Sequence, residues 1–260
     1  MIQKKYAYYY SENRIGFVVL NRPEKKNALG PELVSNLKEL FTIAENDENT
    51  KTIVLKSEGD AFCAGADLAY LQELQKNTFD ENLQDSNNLK ELFEQIYTLK
   101  KIVIAQVQGH AIAGGGGLAT VCDFTFAVPE AKIGFTEVKI GFVPAIISVF
   151  IVRKIGEARA KELFLTGNLI SSEKAKNYGL INFISDKNTI ETEVIEFAKN
   201  LNTTTSAESL ELTKKLISNI WNKNFTDALN YASEMNANAR NTTDCKKGIS
   251  SFVNKTKLEW

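Results

Sequence analysis

The residues best suited by type to do chemistry lie in three short stretches. The first runs from Lys101 to Asp123 and holds five glycines, at Gly109 and Gly114 to Gly117. An apolar, β-branched run, Ile102 to Val107, precedes them and reads as a buried strand. Leu118 to Cys122 is small and apolar and reads as a helix packed deep inside. Strand, glycine turn and buried helix aim open backbone N–H groups at one point, because the first N–H groups of a helix have no internal partner and the helix dipole makes that end positive. Glycine lets the chain turn sharply and lets a ligand approach the backbone closely. Two ligands suit such an end: a phosphate, or an oxyanion formed during a reaction. The phosphate motifs are not met, since no lysine follows the glycines and no acidic residue stands about 20 positions on at the end of a second strand.

The second stretch, Ile53 to Leu68, is a strand followed by the small-residue loop Phe62-Cys63-Ala64-Gly65-Ala66. The third, Ala131 to Pro144, carries Glu137 between Phe135 and Val138. Burial in that setting favours the neutral carboxyl and raises its pKa toward the range of an acid–base catalyst. The blander reading of Glu137 is a loop-end carboxylate paired with Lys139. His110 is the one histidine, so no imidazole metal cluster can be assembled, no Ser-His-Asp arrangement emerges around it, and it reads as structural. Cys63 has no evident activating base and reads as a small buried residue. Cys63, Cys122 and Cys245 follow no metal or disulfide spacing.

These stretches need a scaffold, and strand–helix alternation supplies one. Tyr6–Ser11 and Ile15–Leu20 read as a strand pair turning at Glu12-Asn13-Arg14. Gly30-Pro31-Glu32 opens a helix whose buried face is Leu33, Leu37, Leu40, Phe41 and Ala44. Residues 78–86 are polar and read as a mobile segment before helical spacing returns at Leu89–Leu99. The alternation argues for an α/β layered domain. Beyond Thr189 the pattern is almost wholly helical, over 190–201, 207–221, 225–239 and 243–255. At 260 residues the chain suits one large domain, or one domain with an appendage, and a net charge of −1 gives no global field toward nucleic acid or membrane. The N-terminus has no apolar core of a signal peptide and no run of about 18 apolar residues exists, so a cytoplasmic protein without a membrane partner is expected.

In order and spacing, the motifs resemble the enoyl-CoA hydratase/isomerase (crotonase) superfamily. The resemblance rests on Leu20-Asn21-Arg22-Pro23 with Asn27-Ala28-Leu29, on Phe62-Cys63-Ala64-Gly65-Ala66-Asp67-Leu68, on the glycine run with Cys122-Asp123, and on Glu137 with Gly141 and Pro144. It implies a crotonase fold, a spiral of ββα units over residues 1–189 with an acyl-CoA site, and a C-terminal helical oligomerisation region over 190–260. A homotrimer or dimer of trimers follows from the same resemblance. The implied substrate is a coenzyme A thioester, with no separate cofactor and no metal. By family position, the N–H groups of Ala66 and Gly114 polarise the thioester carbonyl, and Glu137 is the second of two catalytic glutamates. Lys25 or Lys26 matches a basic residue that meets phosphate, although both read equally as surface charge. Ala28, Ala64, Asp67 and Leu68 match positions around adenine and pantetheine. Phe252 and Lys255 match a C-terminal pair that reaches a ligand across a subunit boundary.

One departure stands out: Gly117 occupies the place of the first glutamate of two-glutamate hydratases. The single-carboxylate pattern resembles isomerases of the superfamily and also the bacterial methylglutaconyl-CoA hydratases of leucine catabolism. Pro144-Ala145-Ile146-Ile147-Ser148 resembles the latter as well. A carboxylate at 117 would repel an acidic acyl group by about 4 kcal/mol at about 4 Å and an effective dielectric near 20. Gly117 relieves that field and is expected to open space. The expected activity is therefore hydration of an enoyl-CoA of the 3-methylglutaconyl type, with enoyl-CoA isomerisation as the rival. An RNA-binding side activity, known in one eukaryotic methylglutaconyl-CoA hydratase, finds support only in Arg22, Lys25 and Lys26, and the net charge argues against it.

Overall fold

The computed structural model describes the backbone of residues 1–260 and all side chains except that of Leu68. After a short edge strand β1 (Ile2–Gln3), β2 (Ala7–Glu12) and β3 (Ile15–Leu20) form the expected antiparallel hairpin. Its turn uses Asn13 and Arg14, both at positive φ. Helix α1 (Pro31–Asn46) then leads to β4 (Thr52–Ser57), and α2 (Leu68–Leu74) and α3 (Phe79–Thr98) lead to β5 (Ile102–Val107). The polar segment after Asn77 is helical, not an irregular connection. Thr78 caps α3 and Glu81 reaches back to the Thr78 N–H, a capping box that supports a helix start however polar the first turns are.

Next come β6 (Ala111–Ile112), α4 (Gly114–Val121), β7 (Phe124–Ala127) and β8 (Lys132–Gly134). The four consecutive glycines are not a turn before the helix; they are its first turn. Each costs about 1 kcal/mol relative to alanine in a helix interior. Burial of the whole segment Gly115–Val121 offsets this by placing backbone where side chains would not fit. A Cβ on Gly115 would lie 2.2 Å from the Cys63 carbonyl oxygen. After a 3-10 turn, Glu137–Ile140, follow α5 (Ala145–Ile155), α6 (Glu157–Thr166), β9 (Ile170–Ser171), α7 (Ser172–Tyr178) and β10 (Phe183–Ile184).

The main sheet has the order β1-β2-β3-β4-β5-β7-β10, parallel from β3 onward. β3 and β5 are buried along their whole length, as suits parallel strands covered on both faces. A second, smaller layer is built from the segments just after these strands. Leu29 bridges Ala66, Cys63 bridges Ala111, β6 pairs with β8, and β8 pairs with β9. Each turn of chain thus places one strand in each layer, which is the spiral the resemblance implied and which sequence periodicity did not reveal. The architecture is an α/β fold with a mixed sheet and C-terminal helices.

Helix α8 (Ile190–Thr204) lies on β3, β4, β5 and β7, and α9 (Ala207–Ile220) reaches α3 and β5, whereas α10 (Phe225–Asn241) and α11 (Thr243–Val253) pack on α9 and on each other. Ile217, Trp221, Phe225, Leu229, Ile249, Phe252 and Val253 on these last helices and their connections are exposed. Among the described residues no helix is long and apolar enough to cross a membrane.

Candidate active site

Four segments lie side by side at the second layer: 26–29, 63–67, 111–114 and 133–137. Asn27 organises the first. Fully buried and at positive φ, it donates from Nδ2 to the carbonyls of Glu58 and Ala61 and accepts from the Arg22 N–H. The Ala64 N–H donates to the Lys26 carbonyl, and Leu29 both donates to Gly65 and accepts from Asp67. These bonds bring Ala28, Ala64 and Asp67 together with the backbone of Lys25 and Lys26. The Lys25 and Lys26 side chains are exposed. The contact expected at the Leu68 side chain lies outside the described residues.

The same bonds leave the Ala66 N–H free. In a parallel bridge Leu29 uses the groups on either side of Ala66, so the Ala66 N–H points to the opposite edge, and it has no acceptor among the described residues. Gly114 is the first residue of α4, and its N–H likewise has no acceptor among them. The two groups are neighbours in space. A Cβ on Gly65 would lie 2.9 Å from the Ala113 Cβ, and a Cβ on Gly114 would lie 3.1 Å from Cδ1 of Leu29, the residue that bridges Ala66. Gly65 at φ 92° admits this approach without a side chain.

Ala113 fixes the direction of the second N–H. It sits at φ 51°, ψ −125°, a sparsely populated conformation for a residue with a Cβ, at a cost of about 1–3 kcal/mol. Its own N–H donates to Gly134 at 2.7 Å, which holds the strained turn against β8. Two unpaired N–H groups on adjacent segments, one at a helix N-terminus, can hold an oxygen that gains negative charge.

The carboxylate stands on the neighbouring segment. Gly116 packs against the Gly134 carbonyl and the Phe135 ring, and Glu137 follows Phe135 by two residues, within about 7 Å along the chain. Glu137 opens the 3-10 turn and is half-buried; its Oε2 is buried with no hydrogen-bond partner. Burial pushes its carboxyl above the usual range, opposed only in part by its own N–H. No ion pair joins Glu137 to Lys139, so the blander sequence reading does not hold in this geometry. A buried carboxylate oxygen without a partner can exchange a proton with whatever fills the space before it.

Asp67 turns inward to the protein. It caps α2 through the Ala69 N–H and forms a 2.7 Å ion pair with Arg22. Burial alone would raise its carboxyl, but these two partners outweigh it and hold the group below the usual range. Arg22 also lies over the Tyr6 ring, so it ties the loop behind Ala66 to the first hairpin. Sequence reasoning gave Arg22 no such role, and nothing in the spacing announces the pair.

Gly117 carries a correction. The glycine does not open space: a Cβ there would meet Cδ1 and Cγ1 of Ile147 at 2.8 Å and Cζ of Phe93 at 3.3 Å. Ile147, on α5, is 3 % exposed and fills the seat. Phe252, 87 % exposed, and Lys255 stand at the end of α11, which packs on α9 and α10; within one chain no hydrogen bond or ion pair joins their side chains to the four segments. Cys63 is fully buried and its thiol is pushed up to about 12 by burial, which removes it as a nucleophile. His110 accepts from the Lys132 N–H at Nδ1, a structural bond.

Known proteins share both sequence and fold. A profile of the enoyl-CoA hydratase/isomerase family matches residues 11–260. A Thermus thermophilus protein bearing the provisional name enoyl-CoA hydratase is 41 % identical over 248 residues, 94 % of this chain and 96 % of its own. The mitochondrial enoyl-CoA hydratase of Pongo abelii is 31 % identical over 251 residues, 95 % of this chain and 84 % of its own. The crystal structure of an enoyl-CoA hydratase from Shewanella pealeana superposes with a TM-score of 0.90 at 28 % identity, covering 98 % of this chain and 96 % of that one. The chain belongs to the enoyl-CoA hydratase/isomerase family.

Proposed function

We propose that this family member hydrates an enoyl-CoA thioester, with the N–H groups of Ala66 and Gly114 receiving the thioester oxygen and Glu137 moving the proton. The observation that carries the reading is the buried, partnerless Oε2 of Glu137 on the segment that packs against the glycine helix. Polarising the carbonyl makes Cβ of an enoyl thioester electrophilic and acidifies Cα. Glu137 accepts a proton from water as its oxygen adds to Cβ, and a proton is returned at Cα. The enolate between these events rests on the two N–H groups, each worth roughly 2.7–4 kcal/mol in such sites. Small side chains at Ala28, Ala64 and Ala66 leave room for the pantetheine arm, and Lys25 and Lys26 offer charge to the phosphates.

The finer reading is a 3-methylglutaconyl-type substrate. Its support is the field at Gly117, not the space: an acidic acyl group meets aliphatic Ile147 there instead of a second carboxylate. The single carboxylate equally serves an isomerase, in which Glu137 carries one proton between two carbons. Assembly as a trimer, with Phe252 and Lys255 completing a neighbour's site, would cover the apolar side chains exposed on the last helices. Assay of a panel of enoyl-CoA thioesters, with and without an acyl carboxylate, tests the reading. Water addition and double-bond migration are scored separately. Turnover by water addition is expected, fastest on the acidic branched substrate. Migration without hydration would transfer the assignment to isomerase, and no turnover of any thioester would overturn it.

A further inference from the structure

The two unpaired N–H groups account for one end of α4; its other end holds a second arrangement. Lys154, in the last turn of α5, donates from Nζ to the carbonyls of Thr120 at 2.6 Å and Cys122 at 3.2 Å, the C-terminus of α4. Lys214 of α9 lies close by. It donates to the carbonyls of Ile96 and Lys101 and forms a 2.6 Å ion pair with Asp123, which also accepts the Val103 N–H. The two lysines differ in one respect. Lys214 is matched by a carboxylate, whereas both hydrogen-bond partners of Lys154 are neutral carbonyls. Burial lowers the pKa of the Lys154 ammonium, and the Asp123 carboxylate nearby opposes this; Arg153 is cationic and turns to Asn222. With Lys154 protonated, two lysines face the one Asp123 carboxylate, and the C-terminus of α4 carries one net positive charge. Both lysines line a cavity of about 390 Å³ whose other walls include Tyr97, Phe124, Phe150 and Leu210, so the charge sits in surroundings of low polarity.

From this geometry we propose that Lys154 is a positioning residue for the reaction: it holds α4 by its C-terminal carbonyls and strengthens the positive end that Gly114 presents to the substrate. A cation at a helix C-terminus is favourable in itself, and it cancels the negative pole that would weaken the field at the N-terminus. The eight residues of α4 place the two ends about 12 Å apart. At an effective dielectric near 20, a unit charge at that distance changes the stability of a developing oxyanion by about tenfold. The proposal rests on the reading of Gly114 as an oxyanion donor, and the test separates the two.

An arylacryloyl-CoA thioester, whose absorption moves to the red when its carbonyl is polarised, is bound to the full-length wild type and to Lys154→Met. The wild type is expected to shift the band. Lys154→Met is expected to lose much of the shift and to lower kcat about tenfold with KM nearly unchanged. A mere packing role would lower thermal stability and leave the shift in the folded fraction. If the wild type shifts the band and Lys154→Met keeps both the shift and kcat, the inference is overturned and the oxyanion reading stands. If the wild type gives no shift, both are overturned. Should Lys154→Met fail to fold, the Asp123–Lys214 pair decides. Lys214→Met leaves a bare negative charge at the same end and is expected to reduce the shift, and adding Asp123→Asn is expected to restore it. A double variant no better than the single would overturn the inference.

Discussion

Replacing Gly117 by alanine is a one-carbon change whose outcome depends on a residue 30 positions away. The new Cβ would lie 2.8 Å from two carbons of Ile147, closer than side chains tolerate, and 3.3 Å from the Phe93 ring. Phe93 is 1 % exposed and Ile147 3 %, so neither can swing into solvent. Overpacking of this kind costs about 1–3 kcal/mol, against a gain of about 1 kcal/mol from replacing glycine in a helix. Gly117→Ala alone should therefore be neutral to about 2 kcal/mol destabilising. Ile147→Ala alone should cost about 2–5 kcal/mol, from lost burial and the cavity left behind. In the Ile147→Ala background the clash is gone, and Gly117→Ala should become stabilising by about 1 kcal/mol. The cycle thus predicts a coupling of about 1–3 kcal/mol, within the range for residues in contact. Urea unfolding of the four proteins, with oligomer state held constant, measures it. Additive effects would refute the claim that the two residues share one volume. The cycle also prepares a charge test: Gly117→Glu in the Ile147→Ala background should impair an acidic enoyl-CoA more than a neutral one, because only the former meets like charge.

Arg22→Met should destabilise the protein by about 1–2 kcal/mol and lower kcat/KM, since it removes the ion-pair partner of the half-buried Asp67 carboxylate beside Ala66; thermal unfolding and steady-state kinetics check both effects. The raised carboxyl of Glu137 should put the acid limb of kcat/KM above the ordinary carboxylate range, with activity falling as pH drops through it, and Glu137→Gln should abolish that limb. Lys51 donates to the carbonyls of Asn202 and Thr205 at the end of α8, and burial, then Arg14, pushes its ammonium down to about 8. The unfolded chain keeps that proton to its ordinary value of 10.5, so the group adds stability as pH rises from about 8 to 10.5. Urea unfolding across this window should show the gain in wild type and less of it in Lys51→Met.

What could be read from the sequence was what local chemistry fixes. The hairpin at Asn13-Arg14, the proline-led α1 and the four C-terminal helices all follow from turn residues and apolar spacing. Glu137 stood out because a carboxylate among apolar residues is rarely idle. The α3 start was misread because polarity was weighed above the Thr78–Glu81 capping box, a local signal that was available. The glycine helix was misread for another reason: nothing local favours four glycines in a helix, and only burial against Cys63, Phe135 and Ile147 holds them there. The Gly117–Ile147 fit and the Arg22–Asp67 pair join residues 30 and 45 positions apart, and no single-chain pattern encodes such contacts. The pairing of Ala66 with Gly114 came from family resemblance; the structure shows the Leu29 bridge to Ala66 and the strained Ala113 before Gly114, neither of which local sequence announces.

The central claim is that Glu137 carries the proton transfers at a thioester held by two backbone N–H groups. Pre-steady-state hydration of an enoyl-CoA by wild type and Glu137→Gln, with product affinity measured in parallel, tests it most directly. The glutamine keeps shape and burial but cannot accept the proton, so the hydration rate should fall by at least about 100-fold, with thioester affinity close to that of wild type. Near-full hydration by Glu137→Gln, with unchanged affinity, would contradict the account.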